Sequence, residues 1–183
     1  MPVTAISDLP LLENVALGLL MAAPKHGYDL YHDFDALFGA VYDAGRSKFY
    51  ARLNDLQDAG YLTAESIPQE NRPPRKIYHV TPAGEERFRR WLVEPVDAPR
   101  HIRVIAPVKL RLFRLLGEPG ALDFLDAQIV ACQSRLDRES DRAEAVADAE
   151  GDDIFADMLY ELRRQQLIGM LTWLEYCKGK VDG

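Results

Sequence analysis

Cysteine is almost missing from this chain. Cys132 and Cys177 are its only two among 183 residues. Each stands alone on a helical pattern, which excludes a disulfide framework and suits buried thiols in a reducing compartment. Histidine is scarce too. His26, His32, His79 and His101 fall on segments of different type, with no ligand-spaced pair among them, so no metal site is expected. There is no Gly-x-Ser-x-Gly, no phosphate-cradling glycine loop and no His-Glu-x-x-His. Neither catalytic residues nor a cofactor are therefore expected. No apolar run approaches the ~20 residues of a membrane span, and the N-terminus lacks a basic stretch leading into an apolar core. These absences point to a cytoplasmic protein without a membrane partner.

Positive charge is in the minority, with 22 Lys and Arg against 29 Asp and Glu for a net −7. Its distribution matters more than its sum. Residues 1–45 hold 1 basic and 6 acidic side chains, residues 46–90 hold 9 and 6, and residues 91–183 hold 12 and 17. The respective balances are −5, +3 and −5, so positive charge is concentrated in the second segment.

That segment also carries the most specific pattern. Phe49, Leu53 and Leu56 recur at i, i+4 and i+7 and predict a helix with one narrow apolar stripe. Ser47, Lys48, Ala51 and Asn54 take the opposite face, with Arg46, Tyr50 and Arg52 on the flanks. Gly60 tolerates positive φ and predicts the helix end. Two strand-like runs follow, Tyr61 to Ile67 and Lys76 to Val80, joined by the proline-rich, polar turn from Pro68 to Pro74. A helix with a small, polar outer face followed by a basic-tipped hairpin is the layout of a winged helix-turn-helix. Lys48 and Asn54 have donors for base edges, Ala51 lets the helix lie deep in a groove, and Ser47 suits a base or a phosphate. Arg72, Arg75 and Lys76 stand where a wing meets phosphates. The alternative is a solvated helix and hairpin on an unrelated small domain.

Ahead of this stretch, residues 1–10 are expected to be loose. A nearly all-apolar helix runs from Leu12 to Ala22, Pro24 to Gly27 breaks it, and a second helix covers Tyr28 to Phe38. Together with the connection from Gly39 to Gly45, these complete the module. The runs Leu17-Gly-Leu-Leu20, Pro24-Lys-His-Gly-Tyr28-Asp-Leu30, Phe49-Tyr50 with Leu53 and Leu56, Gly60-Tyr-Leu62, Pro73-Pro-Arg-Lys-Ile-Tyr78, Thr81-Pro-Ala-Gly84 and Trp91-Leu92 resemble, in order and spacing, the PadR-like transcriptional regulators. The likeness spans residues 11 to 92. One departure stands out: many members have Ser-Pro-Gly before the Phe-Tyr pair, where this chain has Gly45-Arg46-Ser47-Lys48. Base preference therefore does not transfer.

The resemblance implies further roles. Thr81 would cap the helix after the wing, with Pro82 at its first position. Gly27 would let the backbone turn ahead of the second helix, whose N-terminal amides suit a phosphate. Tyr28 and Tyr50 would each offer a hydroxyl to the DNA backbone, against a plain core role for both rings.

After Trp91, residues Val93 to Pro99 read as a linker. The expected division is a winged helix-turn-helix over 1–95 and an α-helical dimerisation domain over 96–183, mainly α with a small two-stranded wing. A short helix is expected from Pro107 to Leu116. Leu122, Leu125, Ile129, Cys132 and Leu136 then form a heptad seam, weaker through Ala143, Val146 and Ala147. This is either an intermolecular coil or an amphipathic helix packed on its own domain. The turn Glu150 to Asp153 leads to a last helix, Ile154 to about Cys177. Ile154, Phe155, Met158, Leu159 and Leu162 give it one apolar face, and from Leu167 through Leu171 and Leu174 it is apolar nearly all round. Such a helix must be covered, and a second subunit would cover it, as PadR-like C-terminal helices do. Trp91, Phe88, Phe113, Trp173 and Tyr176 are candidates for an aromatic effector pocket, or are plain core. The expected function is a homodimeric regulator that binds double-stranded DNA at an inverted repeat. By resemblance it is a repressor released by a small-molecule effector. The alternatives are an activator of the same fold and a winged-helix adaptor that binds protein.

Overall fold

The computed structural model describes residues 10–69, 72–150 and 154–182, with side chains at all of these except 69–74 and 142–150. The described elements are α1 (Leu11–Ala22), β1 (Lys25–His26), α2 (Gly27–Phe38), α3 (Arg46–Asp58), β2 (Leu62–Gln69), β3 (Arg72–Val80), α4 (Pro82–Val93), α5 (Pro99–Leu116), α6 (Ala121–Glu150) and α7 (Ile154–Val181). They divide into two compact units. One comprises residues up to Glu94 with Pro107–Pro119, the other Pro95–Ala106 with residues from Gly120 on. The sequence places a single boundary near 95; the structure groups the second half of α5 with the first unit.

In the first unit α1 is the hub. Leu11, Leu12, Val15, Leu17, Leu19 and Leu20 are all buried, and the helix packs against α2, α3, β3 and α4. A helix apolar on most sides can be stable only with neighbours on most sides. The α3 termination follows from its sequence. Gly60 adopts φ 78°, its amide donates to Gln57 O at 3.0 Å, and the Tyr61 amide donates to Leu56 O at 2.9 Å. This pair of bonds is the Schellman closure that a left-handed glycine permits. Thr81 caps α4 as expected. Its Oγ1 accepts from the Gly84 amide at 3.2 Å and donates to Gly60 O at 2.8 Å, with Pro82 opening the helix.

The sheet has three strands in the order β1-β3-β2, all antiparallel. Residues Lys25 and His26, expected to be only a helix break, pair with Tyr78 and Ile77. Two residues form a strand here because β3 offers them an edge, a long-range feature that carries no local periodicity.

Two expectations change in the segment after α4. The helix expected from Pro107 begins at Pro99 and carries Pro107 inside it. A proline removes one backbone bond and crowds the preceding turn, and here the helix runs on through that loss. Nor is the Val93–Pro99 stretch a free linker. Gln128, fully buried on α6, accepts from the Val96 amide at 2.6 Å and donates to the Val96 carbonyl at 3.1 Å. Gln128→Leu leaves that buried amide unpaired and is expected to cost roughly 1–3 kcal/mol, measured by denaturant titration.

In the second unit α6 packs against α7. Leu125, Cys132, Leu167, Leu171 and Leu174 are buried within this one chain, and Leu122, Ile129 and Leu136 are half-buried. Within the chain the heptad seam is therefore covered at Leu125 and Cys132 and only in part at Leu122, Ile129 and Leu136. Phe124 and Gln128 belong to the same buried face and lie outside the sequence pattern. The weaker seam positions Ala143, Val146 and Ala147 fall among side chains outside the described set, as do residues 1–9 and the turn at 151–153. By contrast, Ile154, Phe155, Met158 and Leu162 are 54–74% exposed and Leu159 is 37% exposed. At 100° per residue these positions lie nearly opposite the Leu167, Leu171 and Leu174 face of the same helix.

Candidate nucleic-acid interface

The face division of α3 is as its sequence requires. Phe49, Leu53 and Leu56 are buried, while Ser47, Ala51 and Asn54 are exposed. The Phe49 ring is fixed by Phe34 at 5.2 Å and by Tyr31 at 5.5 Å, and this aromatic cluster holds α2 against α3. Lys48 is half-buried. Its Nζ donates to the Tyr42 hydroxyl at 3.3 Å and lies 5.9 Å from that ring's centre. Its long stem leaves it able to exchange a tyrosine for another acceptor.

The N-termini of α2 and α3 meet. The Arg46 guanidinium stands 5.8 Å from the Tyr28 ring centre and 5.2 Å from that of Tyr31. Tyr28 is 56% exposed, and its hydroxyl is 2.9 Å from His32 Nε2. Tyr50 is half-buried against Gly27. A Cβ at position 27 would lie 2.8 Å from Tyr50 Cε1 and 3.2 Å from Tyr78 Cε2. Gly27 is thus needed for close approach, not for the backbone turn expected of it, since among the described residues only Gly60, Gly117 and Gly120 are glycines with positive φ. Burial raises the Tyr50 pKa, and the nearby Arg46 charge opposes that rise. The ring stays neutral and is a hydrogen-bonding group at any ordinary pH.

On the hairpin, Ile67 opposes Arg75 and Ser66 opposes Lys76, with a bulge between Ile67 and Gln69. Arg75 and Lys76 are both exposed. Among the described residues neither is in an ion pair, whereas Lys25 at the sheet edge is held by Asp33 at 2.7 Å. The Arg72 side chain lies outside the described set.

Of the candidate effector aromatics, Trp91 and Phe113 belong to the first unit and Trp173 and Tyr176 to the second. Phe113 is buried, and Tyr176 is exposed beneath Lys180. Trp91 is half-buried, with Phe88 at 6.1 Å and the Lys109 ammonium at 4.7 Å from its ring centre. A cleft within the second unit is lined by Val96, Ile102, Gln128, Cys132, Arg135 and Leu167 among others. It includes none of the four aromatics. Its ≈ 150 Å³, open solvent included, falls below the ~300 Å³ at which pockets for drug-sized ligands begin. Among the described residues no group of His, Cys, Asp or Glu is placed to hold a metal, and no helix is long and apolar enough to cross a membrane.

Three helices around a buried hub, one of them with Ser47, Ala51 and Asn54 exposed, and an antiparallel wing define a winged helix-turn-helix. Residues 16–90 match the family described as the Transcriptional regulator PadR-like family. Residues 16–90 thus form a PadR-like domain. The chain is 26% identical over 125 residues to the Negative transcriptional regulator PadR of Bacillus subtilis (strain 168), spanning 68% of this chain and 69% of that one. It is 27% identical over 89 residues to the Probable transcriptional regulator Rv1176c of Mycobacterium tuberculosis (strain ATCC 25618 / H37Rv), spanning 49% and 47% respectively. The crystal structure of Bacillus subtilis PadR in complex with operator DNA aligns with a TM-score of 0.47 at 22% identity, covering 94% of this chain and 98% of that one.

Proposed function

We propose that this protein binds duplex DNA as a homodimer, with α3 in the major groove and the β2–β3 hairpin against flanking phosphates, and that it represses transcription. The observation that carries the reading is the outer face of α3: Ser47, Ala51 and Asn54 are exposed beside Lys48, while the opposite face is locked into the core. Lysine suits guanine acceptors and asparagine suits adenine, and a small residue between them permits close approach. Arg75 and Lys76, in no ion pair among the described residues, suit phosphate. A two-fold dimer reads an inverted repeat with half-site centres about one helical turn, roughly 10 base pairs, or a multiple apart. Repression is supported by the name of the Bacillus subtilis relative, a negative transcriptional regulator.

The test begins with selection of bound fragments from the source genome to obtain the operator. Lys48→Ala and Asn54→Ala are each expected to cost about 1–3 kcal/mol on that operator and much less on a scrambled duplex. Equal losses on both would make these residues phosphate contacts and move specificity to DNA shape. Arg75→Ala with Lys76→Ala is expected to weaken both duplexes alike and to flatten the dependence of log K on log salt by roughly 0.9 per lost contact. A reporter behind the operator separates repressor from activator: deleting the gene raises expression in the first case and lowers it in the second.

A further inference from the structure

The reading helix α3 carries three cations, and each is engaged within the protein. Arg46 faces two tyrosine rings, Lys48 meets a tyrosine hydroxyl, and only Arg52 meets opposite charge. Arg52 Nη1 lies 2.8 Å from Asp55 Oδ2 and 3.6 Å from Glu13 Oε1. Asp55 is a neighbour on the same helix, 56% exposed, and such pairs are common on any helix surface. Glu13 is another matter. It comes from the first turn of α1, its side chain is only 15% exposed, and its second oxygen, Oε2, is buried with no donor reaching it among the described residues. A separation of 3.6 Å is an ion pair but not a hydrogen bond. Withdrawing a carboxylate from water on so loose a partnership opposes folding, and a leucine or glutamine at this place would avoid that opposition. The arrangement is explained by what it does to Arg52. It sets negative charge behind a guanidinium on the flank of the reading helix, one residue from Ala51.

We propose that Glu13 is a positioning residue for sequence discrimination: it holds Arg52 back from the DNA backbone, so that binding depends on the outward side chains of α3 rather than on charge. The inference rests on the DNA-binding reading above and deepens it. A free arginine beside the groove would grip any phosphate it met, raising affinity for every sequence equally. Pinned between Glu13 and Asp55, it adds little to indiscriminate binding. The acidic balance of the chain outside residues 46–90 works in the same direction.

The experiment is a salt series on the operator and a scrambled duplex with the full-length protein, Glu13→Gln, Arg52→Ala and the double variant. Glu13→Gln is expected to tighten the scrambled duplex about fivefold and to steepen its salt dependence by roughly 0.9, as one added phosphate contact should. Operator affinity rises less, so discrimination falls. Arg52→Ala alone leaves the slope on the scrambled duplex at the wild-type value, and in the Glu13→Gln background it abolishes the gain. A loss of slope of about 0.9 from Arg52→Ala alone shows Arg52 already on a phosphate and overturns the proposal. So does a folded Glu13→Gln protein with unchanged affinity for the scrambled duplex. If Glu13→Gln does not fold, as read by circular dichroism, the Arg52→Ala slope decides by itself. A wild-type protein that binds neither duplex overturns the DNA-binding reading and this inference with it.

Discussion

Replacing Phe155 and Met158 together by Asp is expected to leave a folded protein that sediments as a monomer at micromolar concentration and has lost roughly 10²–10⁴ in operator affinity. Both side chains are 65% exposed. They sit with Ile154, Leu159 and Leu162 in one contiguous apolar face on the first half of α7. Burying a large apolar side chain is worth about 1.5–3 kcal/mol relative to leaving it in water, and a face of this kind marks an association surface. A second copy is the occupant proposed above. An aspartate in the middle of such an interface must be desolvated without a partner, which disfavours association strongly. The loss on DNA follows because a dimer engages two half-sites while a monomer engages one, and the joined second site contributes a factor of roughly 10²–10⁴. Light scattering with sedimentation gives the oligomeric state, and a titration of the operator gives the affinity. A double variant that stays dimeric at micromolar concentration would place the interface elsewhere. The seam residues Leu125, Cys132, Leu167 and Leu174 cannot take over that role unaided, since each is already covered within its own chain.

Lys109 gives the second large effect, in stability. It is 2% exposed, with its ammonium 2.5 Å from Glu94 O and over the Trp91 ring. Burial pushes its pKa down to about 8, although the Glu94 carboxylate pulls the other way. In the unfolded chain the same group titrates near 10.5. Below about pH 8 both states are protonated and the burial penalty is present in full. Between about 8 and 10.5 the unfolded chain binds more protons than the folded one, so the Lys109 contribution to stability rises with pH, by about 3 kcal/mol over the window. Lys109→Met keeps the length of the stem and removes the charge. At pH 7 it is expected to stabilise the protein by about 1–3 kcal/mol, as apolar replacement of a buried ion often does. Guanidinium denaturation of both proteins at pH 7 and pH 10 isolates the effect, because the titration of Tyr50 and Tyr78 is common to the pair. A variant less stable than wild type at pH 7 would show that the charge is held well enough to favour the fold, and one that gains as much stability as wild type between pH 7 and pH 10 would place that titration elsewhere.

Features written in local sequence were the ones the sequence revealed. The α3 stripe of Phe49, Leu53 and Leu56, the Gly60 stop and the Thr81-Pro82 helix start each depend on residues within a few positions of one another, and each occupies its expected place. The misses depend on distant partners. Strand β1 exists because β3, fifty residues on, offers an edge. The Val96 tether depends on Gln128, thirty-two residues away, and nothing in the Val93–Pro99 composition announces it. Pro107 concealed the first half of α5 because an internal proline ordinarily marks a boundary. Glu13 opposite Arg52 was equally hidden, since a lone acid in the first turn of an apolar helix reads as a favourable dipole partner and no more.

Among the described residues, Ser47, Ala51 and Asn54 on the outer face of α3 make no side-chain bond within the fold. Ser47, Ala51 and Asn54 stand in solvent, and exposed positions without a structural bond tolerate exchange within about 0.5 kcal/mol. Gly27, only a helix away, is hemmed in by Tyr50 and Tyr78 and admits almost no substitution. On the proposed reading, Ser47, Ala51 and Asn54 would set base preference without carrying the fold, whereas Lys48 is also bonded to Tyr42. A lineage, or an engineer randomising those three positions, is free to explore new operators without first rebuilding the frame that presents them.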